Sequence, residues 1–174
     1  MTPEANFQLD APETPVIHFE VVTFRQATLF EVNQCLEVWG HKMGPVLRGN
    51  QSGINHLLMH GKEPVAATTV HTLIRENVGG GHKELTRENT IELSRLCAVR
   101  PGLCRVALRL WREFVFPNLG YQYAMSCQDA DLHNGNTYRF DGWTRGGFAR
   151  SGKDTRSGRP GRNKWVWIWE QKSY

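Results

Sequence analysis

The sequence predicts a single α/β domain in which a central mixed β-sheet is flanked by helices. Hydrophobic periods along the chain alternate between strand-like and helix-like in the order β-α-β-β-β-α-β-α-β-β. At 174 residues the chain is long enough for one domain with a substantial core. No internal repeat or linker divides the set of elements, so we expect one domain over residues 16–174, preceded by a flexible, proline-containing tail over residues 1–15.

The central unit is a strand–turn–helix spanning Ile91–Phe116. Its first nine residues suit a buried strand, and Pro101 and Gly102 then mark a break. The following helix presents one apolar stripe, made of Leu103, Val106, Ala107, Leu110, Trp111, Phe114 and Val115. Arg105, Arg109 and Arg112 are predicted on the wetter side. The start of such a helix can hold an anion, although any βα unit offers this.

The other elements follow from shorter patterns. Two strand-like runs joined by Gly61-Lys62-Glu63 predict a β-hairpin. The remaining assignments are a strand at Val16–Val22, a helix at Ala27–Trp39, hairpin strands at Ile54–His60 and Pro64–Ile74, a strand at Tyr121–Cys127, a short helix at Asn134–Asp141, a weak strand at Gly147–Arg150 and a closing strand at Lys164–Glu170.

Composition excludes a membrane-spanning protein and indicates a cytoplasmic one. No stretch approaches the roughly 18 apolar residues of a membrane helix. The four cysteines stand singly in apolar contexts, which favours reduced thiols over a disulfide framework or a zinc knuckle. The formal net charge is +4, but residues 145–164 contain seven Lys or Arg against one acid. Such a segment favours a polyanionic partner or a phosphate-bearing donor.

The basic loop 150–164 carries the nucleic-acid hypothesis. Its cations recur about every three residues in a glycine-rich setting, which is typical of a phosphate-binding segment and also of a merely solvated loop. The residues concerned are Lys153, Arg156, Arg159, Arg162 and Lys164.

Several polar residues are candidates for chemistry. Arg95 interrupts an apolar strand, so it should meet a carboxylate, a phosphate or a group of carbonyls, unless it points outward. Asp129 and Asp131 follow the fifth strand, where an acid can serve as base, metal ligand or helix cap. His41 lies in a polar loop and, with Asp129 and Tyr138, would form an N/O site suited to ferrous iron; most loop histidines are simply solvated.

The order of elements resembles the GNAT acyltransferase fold, in which the fourth strand runs into a donor-binding loop and helix and the fifth strand splays away. Four stretches resemble more specifically the Mom family of bacteriophage DNA-modification proteins, which carry out adenine carbamoylmethylation. They are His41 after the first helix, ELSRL at Glu92–Leu96, QDADLHNGNTYRFDGW at Gln128–Trp143, and the segment ending RNKWVWIW.

The Mom resemblance implies a transferase that modifies the exocyclic amine of adenine in double-stranded DNA and so protects phage DNA from restriction. Asp129 or His41 would then lie near the amine, Tyr138 would act as general acid, and Arg95 would anchor donor or acid. Tyr138 could equally be a packed aromatic with a satisfied hydroxyl. The donor would bind along the fourth strand and following helix, at Leu96, Cys97 and Arg105.

Two departures separate the chain from ordinary acetyltransferases. Arg100-Pro101-Gly102-Leu103-Cys104-Arg105 has one glycine where their turn has several, so Leu103 and Cys104 should obstruct a pyrophosphate. This argues against acetyl-CoA and for an aminoacyl or other acyl donor. Lys42 also stands where an aromatic residue is expected.

Two alternative functions remain. One is an acetyl-CoA-dependent GNAT N-acetyltransferase acting on a small amine or protein. The other is a non-catalytic nucleic-acid-binding module on a GNAT-like fold. The sequence is compatible with either a monomer or a homodimer.

Overall fold

The computed structural model describes residues 22–47, 53–73, 82, 84–150 and 163–172. The order of strands and helices is the predicted one. The elements are β1 (Val22–Ala27), α1 (Leu29–Val38), β2 (Ile54–His60), β3 (Glu63–Thr72), β4 (Thr90–Ala98), α2 (Pro101–Leu110), β5 (Tyr123–Asp129), α3 (Asn136–Arg139), β6 (Thr144–Ala149) and β7 (Lys164–Glu170).

The seven strands form one mixed sheet in the order β1-β2-β3-β4-β5-β7-β6. β4 and β5 pair in parallel, and the other neighbours pair antiparallel. The β4–β5 ladder covers only the register from Thr90↔Tyr123 to Leu93↔Ser126. Beyond that point the two strands part, so within the described part of the chain the second half of β4 has no strand partner on its β5 side. Backbone groups there face a gap rather than a ladder.

A β-bulge bends β4 where the two strands part. The register of β4 with β3 shifts between Thr69 and Val70, which leaves Ser94 as the extra residue. The Ser94 hydroxyl donates a hydrogen bond to the Thr69 carbonyl oxygen at 3.2 Å. The bulge places Leu93 and Leu96, which are three positions apart, against helix residues on the same face of the sheet.

Helix α1 covers the opposite face over β2 and β3. Thr28 caps its start through a reciprocal capping box with Glu31. Val32 and Leu36 are fully buried against Leu57. Cys97 of β4 also packs against this cluster, and the loop that follows α1 lines a cleft together with residues of β4 and β5.

The apolar stripe predicted for α2 is wrong by about one residue. Leu108 and Trp111 are buried, whereas Val106 and Phe114 are largely exposed. The buried positions Ala107, Leu108, Trp111 and Arg112 keep the ordinary helical spacing, so the buried face is turned by about one residue from the predicted stripe. This face includes Arg112, which was predicted on the wetter side, and the helix continues past Leu110 as a π-helical turn at Trp111–Val115.

Several predictions lie outside the described residues. They are the tail over residues 1–15, most of the strand predicted at Val16–Val22, and residues 151–162 of the basic loop. The first strand of the structure instead runs from Val22 to Ala27. No helix in the described part of the chain is long and apolar enough to cross a membrane.

Candidate active site

The separation of β4 and β5 opens a cleft of about 550 Å³. The loop after α1 forms one wall, and the segment from the end of β5 to α3 forms the other. Predicted site residues that line it are His41, Leu96, Cys97, Asp129 and Tyr138. The structure therefore brings together five side chains that are as far as 97 positions apart in the sequence.

Tyr138 lies at the base of the cleft with its ring stacked on Trp167 at 5.5 Å between centroids. The Ser126 hydroxyl donates to the Leu93 carbonyl oxygen at 2.8 Å, so the phenol hydroxyl of Tyr138 is the donor in its own 2.8 Å bond to Ser126 Oγ. Burial raises the pKa of Tyr138 well above its ordinary value, and Ser126 only partly opposes this. The phenol therefore stays protonated at physiological pH.

The turn before α3 is held by Gln128. Its amide Nε2 donates to the His133 carbonyl oxygen, and its Oε1 accepts from Trp167 Nε1 at 2.7 Å. Gly135 fits beneath this pair with φ at +77°, and a Cβ there would lie 2.4 Å from the Trp167 ring. The turn thus requires glycine for both conformation and space.

Asp129 and Lys42 connect the two walls. Lys42 Nζ lies 3.1 Å from Asp129 Oδ2, and the Asp131 amide donates to Asp129 Oδ1 at 3.1 Å. Burial raises the pKa of Asp129, but the hydrogen bonds from Lys42 and the backbone outweigh it and leave that pKa below its usual value. A carboxylate in this state is a weak base and a good partner for a cation.

His41 and Arg95 have well-defined partners. The Met43 amide donates to His41 Nδ1 at 3.3 Å. Arg95 donates to the Ser94 carbonyl oxygen at 2.9 Å and to the Gly44 carbonyl oxygen at 3.4 Å. Of the partners predicted for Arg95, these contacts correspond to the group of carbonyls. Arg95 does not line the cleft. Its bond to Gly44 instead connects β4 to the loop after α1.

The start of α2 forms a third side of the cleft. Pro101 and Cys104 line the cleft, while Arg105 lies over the Phe140 ring outside it. The predicted obstruction by Leu103 is wrong, because Leu103 packs into the apolar cluster with Ala107. A Cβ on Gly102 would meet nothing within 4 Å, so the turn is open. Of the two side chains expected to obstruct a pyrophosphate, only Cys104 lines the cleft.

Three cysteines line the cleft and remain thiols. Burial raises the pKa of Cys97 and raises the pKa of both Cys104 and Cys127 to about 11. Thiols at this pKa carry almost no thiolate at neutral pH, so none is activated as a nucleophile.

Glu92 is the site residue that sequence reasoning missed. Burial raises its pKa, and the nearby charges of His71, Lys164 and Arg95 only partly lower it. It lines a pocket of about 50 Å³ that shares Ser94 and Asp129 with the main cleft. The available signal was an acid at the start of ELSRL in an otherwise apolar strand. A buried carboxyl with a raised pKa beside a cleft is a candidate proton acceptor.

The predicted iron site is not supported. Among the residues that the structure describes, no group of three or more His, Cys, Asp or Glu side chains could hold a metal. Asp129 is occupied by Lys42, and the Tyr138 hydroxyl is directed at Ser126.

The predicted phosphate-binding cations are largely untested. Lys153, Arg156, Arg159 and Arg162 lie outside the described residues. Lys164 lies on β7 opposite Asp129 and lines the small pocket beside Glu92.

No protein-family model matches the sequence, and no curated protein matches it significantly. Solved structures do match its fold. The ribosomal-protein-S18-alanine N-acetyltransferase of Escherichia coli aligns with a TM-score of 0.62 and 12% identity over 88% of this chain and 96% of its own. The aminoglycoside acetyltransferase AAC(6')-Ib, in complex with coenzyme A and kanamycin, aligns at 0.60 and 13% over 87% and 95%.

A putative GNAT-family acetyltransferase of Desulfovibrio desulfuricans aligns with a TM-score of 0.56 and 14% identity, over 86% of this chain and 99% of its own. Sequence identities this low establish only a shared fold, so the activity has to be inferred from the residues of the site. With its seven-stranded mixed sheet, flanking helices and divided β4–β5 pair, the chain has the GNAT fold.

Proposed function

We propose that the protein is an N-acyltransferase that moves an acyl group from a coenzyme A thioester to an amine. The observation that carries the proposal is the 550 Å³ cleft between the parted ends of β4 and β5. The fold neighbours support the thioester, since AAC(6')-Ib is seen with coenzyme A. This reverses the expectation that acetyl-CoA is disfavoured.

The donor is assigned to the wall made by β4 and the start of α2. Beyond Leu93, β4 pairs with β3 on one side, but among the described residues no strand pairs with it on its β5 side, so an amide facing that side can donate to the thioester carbonyl as negative charge develops on it. The open turn at Gly102 and the N-terminal end of α2 favour a diphosphate at the same wall. Leu96 and Cys97 then border the acyl arm.

Glu92 is assigned the role of general base, which removes a proton from the amine that accepts the acyl group. An alkyl ammonium with a pKa near 10.4 must lose a proton before it can attack. A buried carboxyl with a raised pKa is suited to accept that proton through water in the small pocket. The amine forms the new C–N bond, the C–S bond breaks, and the products are an amide and a thiol.

Tyr138 is assigned the role of general acid, which donates to the leaving thiolate. Its raised pKa keeps it protonated, so it can donate a hydrogen bond or a proton when the C–S bond breaks. Doing so requires the phenol hydroxyl to turn away from Ser126. The expected effect of Tyr138→Phe is a loss of turnover of about a hundredfold.

The test is thiol release from acetyl-CoA with a panel of primary amines, including an N-terminal alanine peptide and an aminoglycoside. Acetyl-CoA at about 100 times Kd should stabilise the fold by about 2.7 kcal/mol, or about 5–10 °C in Tm. Tyr123→Phe is the matched control, because that hydroxyl lies on the surface near Glu170, away from the cleft. The proposal would be refuted if acetyl-CoA did not stabilise the fold and no amine in the panel led to thiol release.

DNA adenine modification is the second candidate and rests on the Mom resemblance and the cations of residues 145–164. None of the fold neighbours reported above acts on DNA according to its description. Nucleoside mass spectrometry of DNA from cells expressing the protein separates the two: a new adenosine species that is lost in Tyr138→Phe would favour the second candidate.

A further inference from the structure

Lys42 places a primary amine in the cleft. It follows His41 in the loop after α1, and its side chain is 52% exposed while that of its partner Asp129 is 12% exposed. Both residues line the cleft, and the 3.1 Å contact between Nζ and Oδ2 holds the amine across the gap between the walls. This is the part of the cleft that adjoins the small pocket bordered by Glu92 and Asp129.

We propose that Lys42 is a site of self-acylation, in which its Nζ attacks a thioester bound in the same cleft. The inference rests on the proposed function, since it requires an acyl thioester at the β4–α2 wall. It assigns to the chain a modification site that is separate from turnover of an external amine.

The reaction balances with the thioester as co-reactant. The Lys42 ammonium loses one proton to the Glu92 carboxylate or to water. Nζ then forms a bond to the carbonyl carbon, the C–S bond breaks, and the second amine proton ends on the thiol. The products are an amide at Lys42, a free thiol and one released proton, with no oxidant or reductant involved.

Placement favours Lys42 over other lysines. Asp129 holds Nζ within the cleft, so a bound thioester meets it at an effective concentration of about 1 mM or more. Lys62, in the turn between β2 and β3, meets only thioester from bulk solution. With about 0.1 mM acetyl-CoA, modification at Lys42 should exceed that at Lys62 by about tenfold or more.

Acylation would also change the charge of the cleft. An amide at Lys42 carries no positive charge, so the Asp129 carboxylate would lose its cationic partner. A cationic acceptor could then pair with Asp129 without first displacing an ammonium. Self-acylation would therefore prepare the cleft for an amine that binds as its ammonium form.

The experiment incubates the full chain with acetyl-CoA and measures site occupancy by peptide mass spectrometry after cleavage at arginine, which places Lys42 and Lys62 on different peptides because Arg48 lies between them. Lys62 and Lys172 report non-specific acetylation, and Lys42→Arg keeps the charge opposite Asp129 while removing the reactive amine. Desulfo-coenzyme A added in excess tests whether Lys42 labelling needs the bound thioester. A tenfold dilution of protein at constant acetyl-CoA tests whether the reaction is intramolecular.

The expected result is at least tenfold preference for Lys42, lost with desulfo-coenzyme A and unchanged per chain on dilution. Equal occupancy at Lys42 and Lys62, or a rate per chain that falls on dilution, would overturn the inference. Thiol release with an external amine but no label at Lys42 would overturn this inference alone. Absence of both acetyl-CoA stabilisation and thiol release with every amine would overturn the proposed function with it.

Discussion

The buried ion pair between Arg112 and Asp141 offers the sharpest test of how the fold holds Tyr138. Arg112 Nε donates to Asp141 Oδ2 at 2.7 Å and Nη2 donates to Oδ1 at 3.2 Å, with the Asp141 side chain fully buried. Trp143 Nε1 donates to the same carboxylate at 3.1 Å. The backbone amides of Asp141 and Trp143 both donate to the Tyr138 carbonyl oxygen, so the pair fixes the segment that carries the phenol.

Asp141→Asn keeps the size of the side chain and removes its charge. The Arg112 guanidinium, which is 9% exposed, would then be left largely buried opposite a neutral amide. Removing the buried partner of such a charge costs at most about 3–5 kcal/mol, since the exposed Glu113 carboxylate stays within 2.7 Å of it, and for a chain of this size this corresponds to at most roughly 6–20 °C in Tm. Urea unfolding monitored by tryptophan fluorescence measures the free energy directly.

Two further variants decide whether charge is the cause. Glu113→Gln removes a 51%-exposed partner of the same guanidinium and should cost less than about 1 kcal/mol. Adding Arg112→Met to Asp141→Asn removes the stranded charge, and the methionine can pack on the Trp169 ring that Arg112 covers at 4.3 Å. The double variant should regain at least half of the loss. If it is no more stable than Asp141→Asn, the reasoning is refuted.

Two more predictions concern the turn and the proton acceptor. Gly135→Ala should destabilise the fold by more than Gly120→Ala, because both have positive φ but only the former brings a Cβ against the Trp167 ring; equal urea midpoints would contradict this. Because burial raises the pKa of Glu92, thioester turnover should rise with pH through that elevated pKa, and Glu92→Gln should lower turnover and remove this acid limb. A raised pKa also means that folding is disfavoured above the usual pKa of 4.5, so Glu92→Gln should be more stable than the parent at pH 7 and lose that advantage below pH 4.5.

The elements that could be predicted are those specified by local patterns. The hairpin follows from the turn at Gly61, where φ is +57°, between two apolar runs. The closing strand follows from Trp165, Trp167 and Trp169, whose period of two places them on one face, where Trp167 and Trp169 pack near Tyr138 and Trp143. The cleft-lining positions of His41, Asp129 and Tyr138 were anticipated through the family resemblance.

The features that could not be predicted depend on distant partners. Because arginine is rarely buried, the pattern of apolar residues along α2 assigns Arg112 to the solvent side, although its position lies on the buried face of the helix. Its burial makes sense only with Asp141, which lies 29 residues away. Lys42 and Asp129 are 87 residues apart and lie on different walls of the cleft, so their contact depends on the complete sheet.

The division of the sheet explains why the two proposed proton-transfer groups can serve one reaction. Successive residues of a strand point to opposite faces, so Ser126 faces Tyr138 while Cys127, the next residue, lies near Glu92 on the other side. An intact sheet would keep the phenol and the carboxyl apart. Because β4 and β5 pair only as far as Leu93, the proposed reaction has room for a thioester between the strands, with the carboxyl on one face and the phenol on the other. Under the proposed mechanism, extending the β4–β5 ladder across the gap should abolish thiol release from acetyl-CoA.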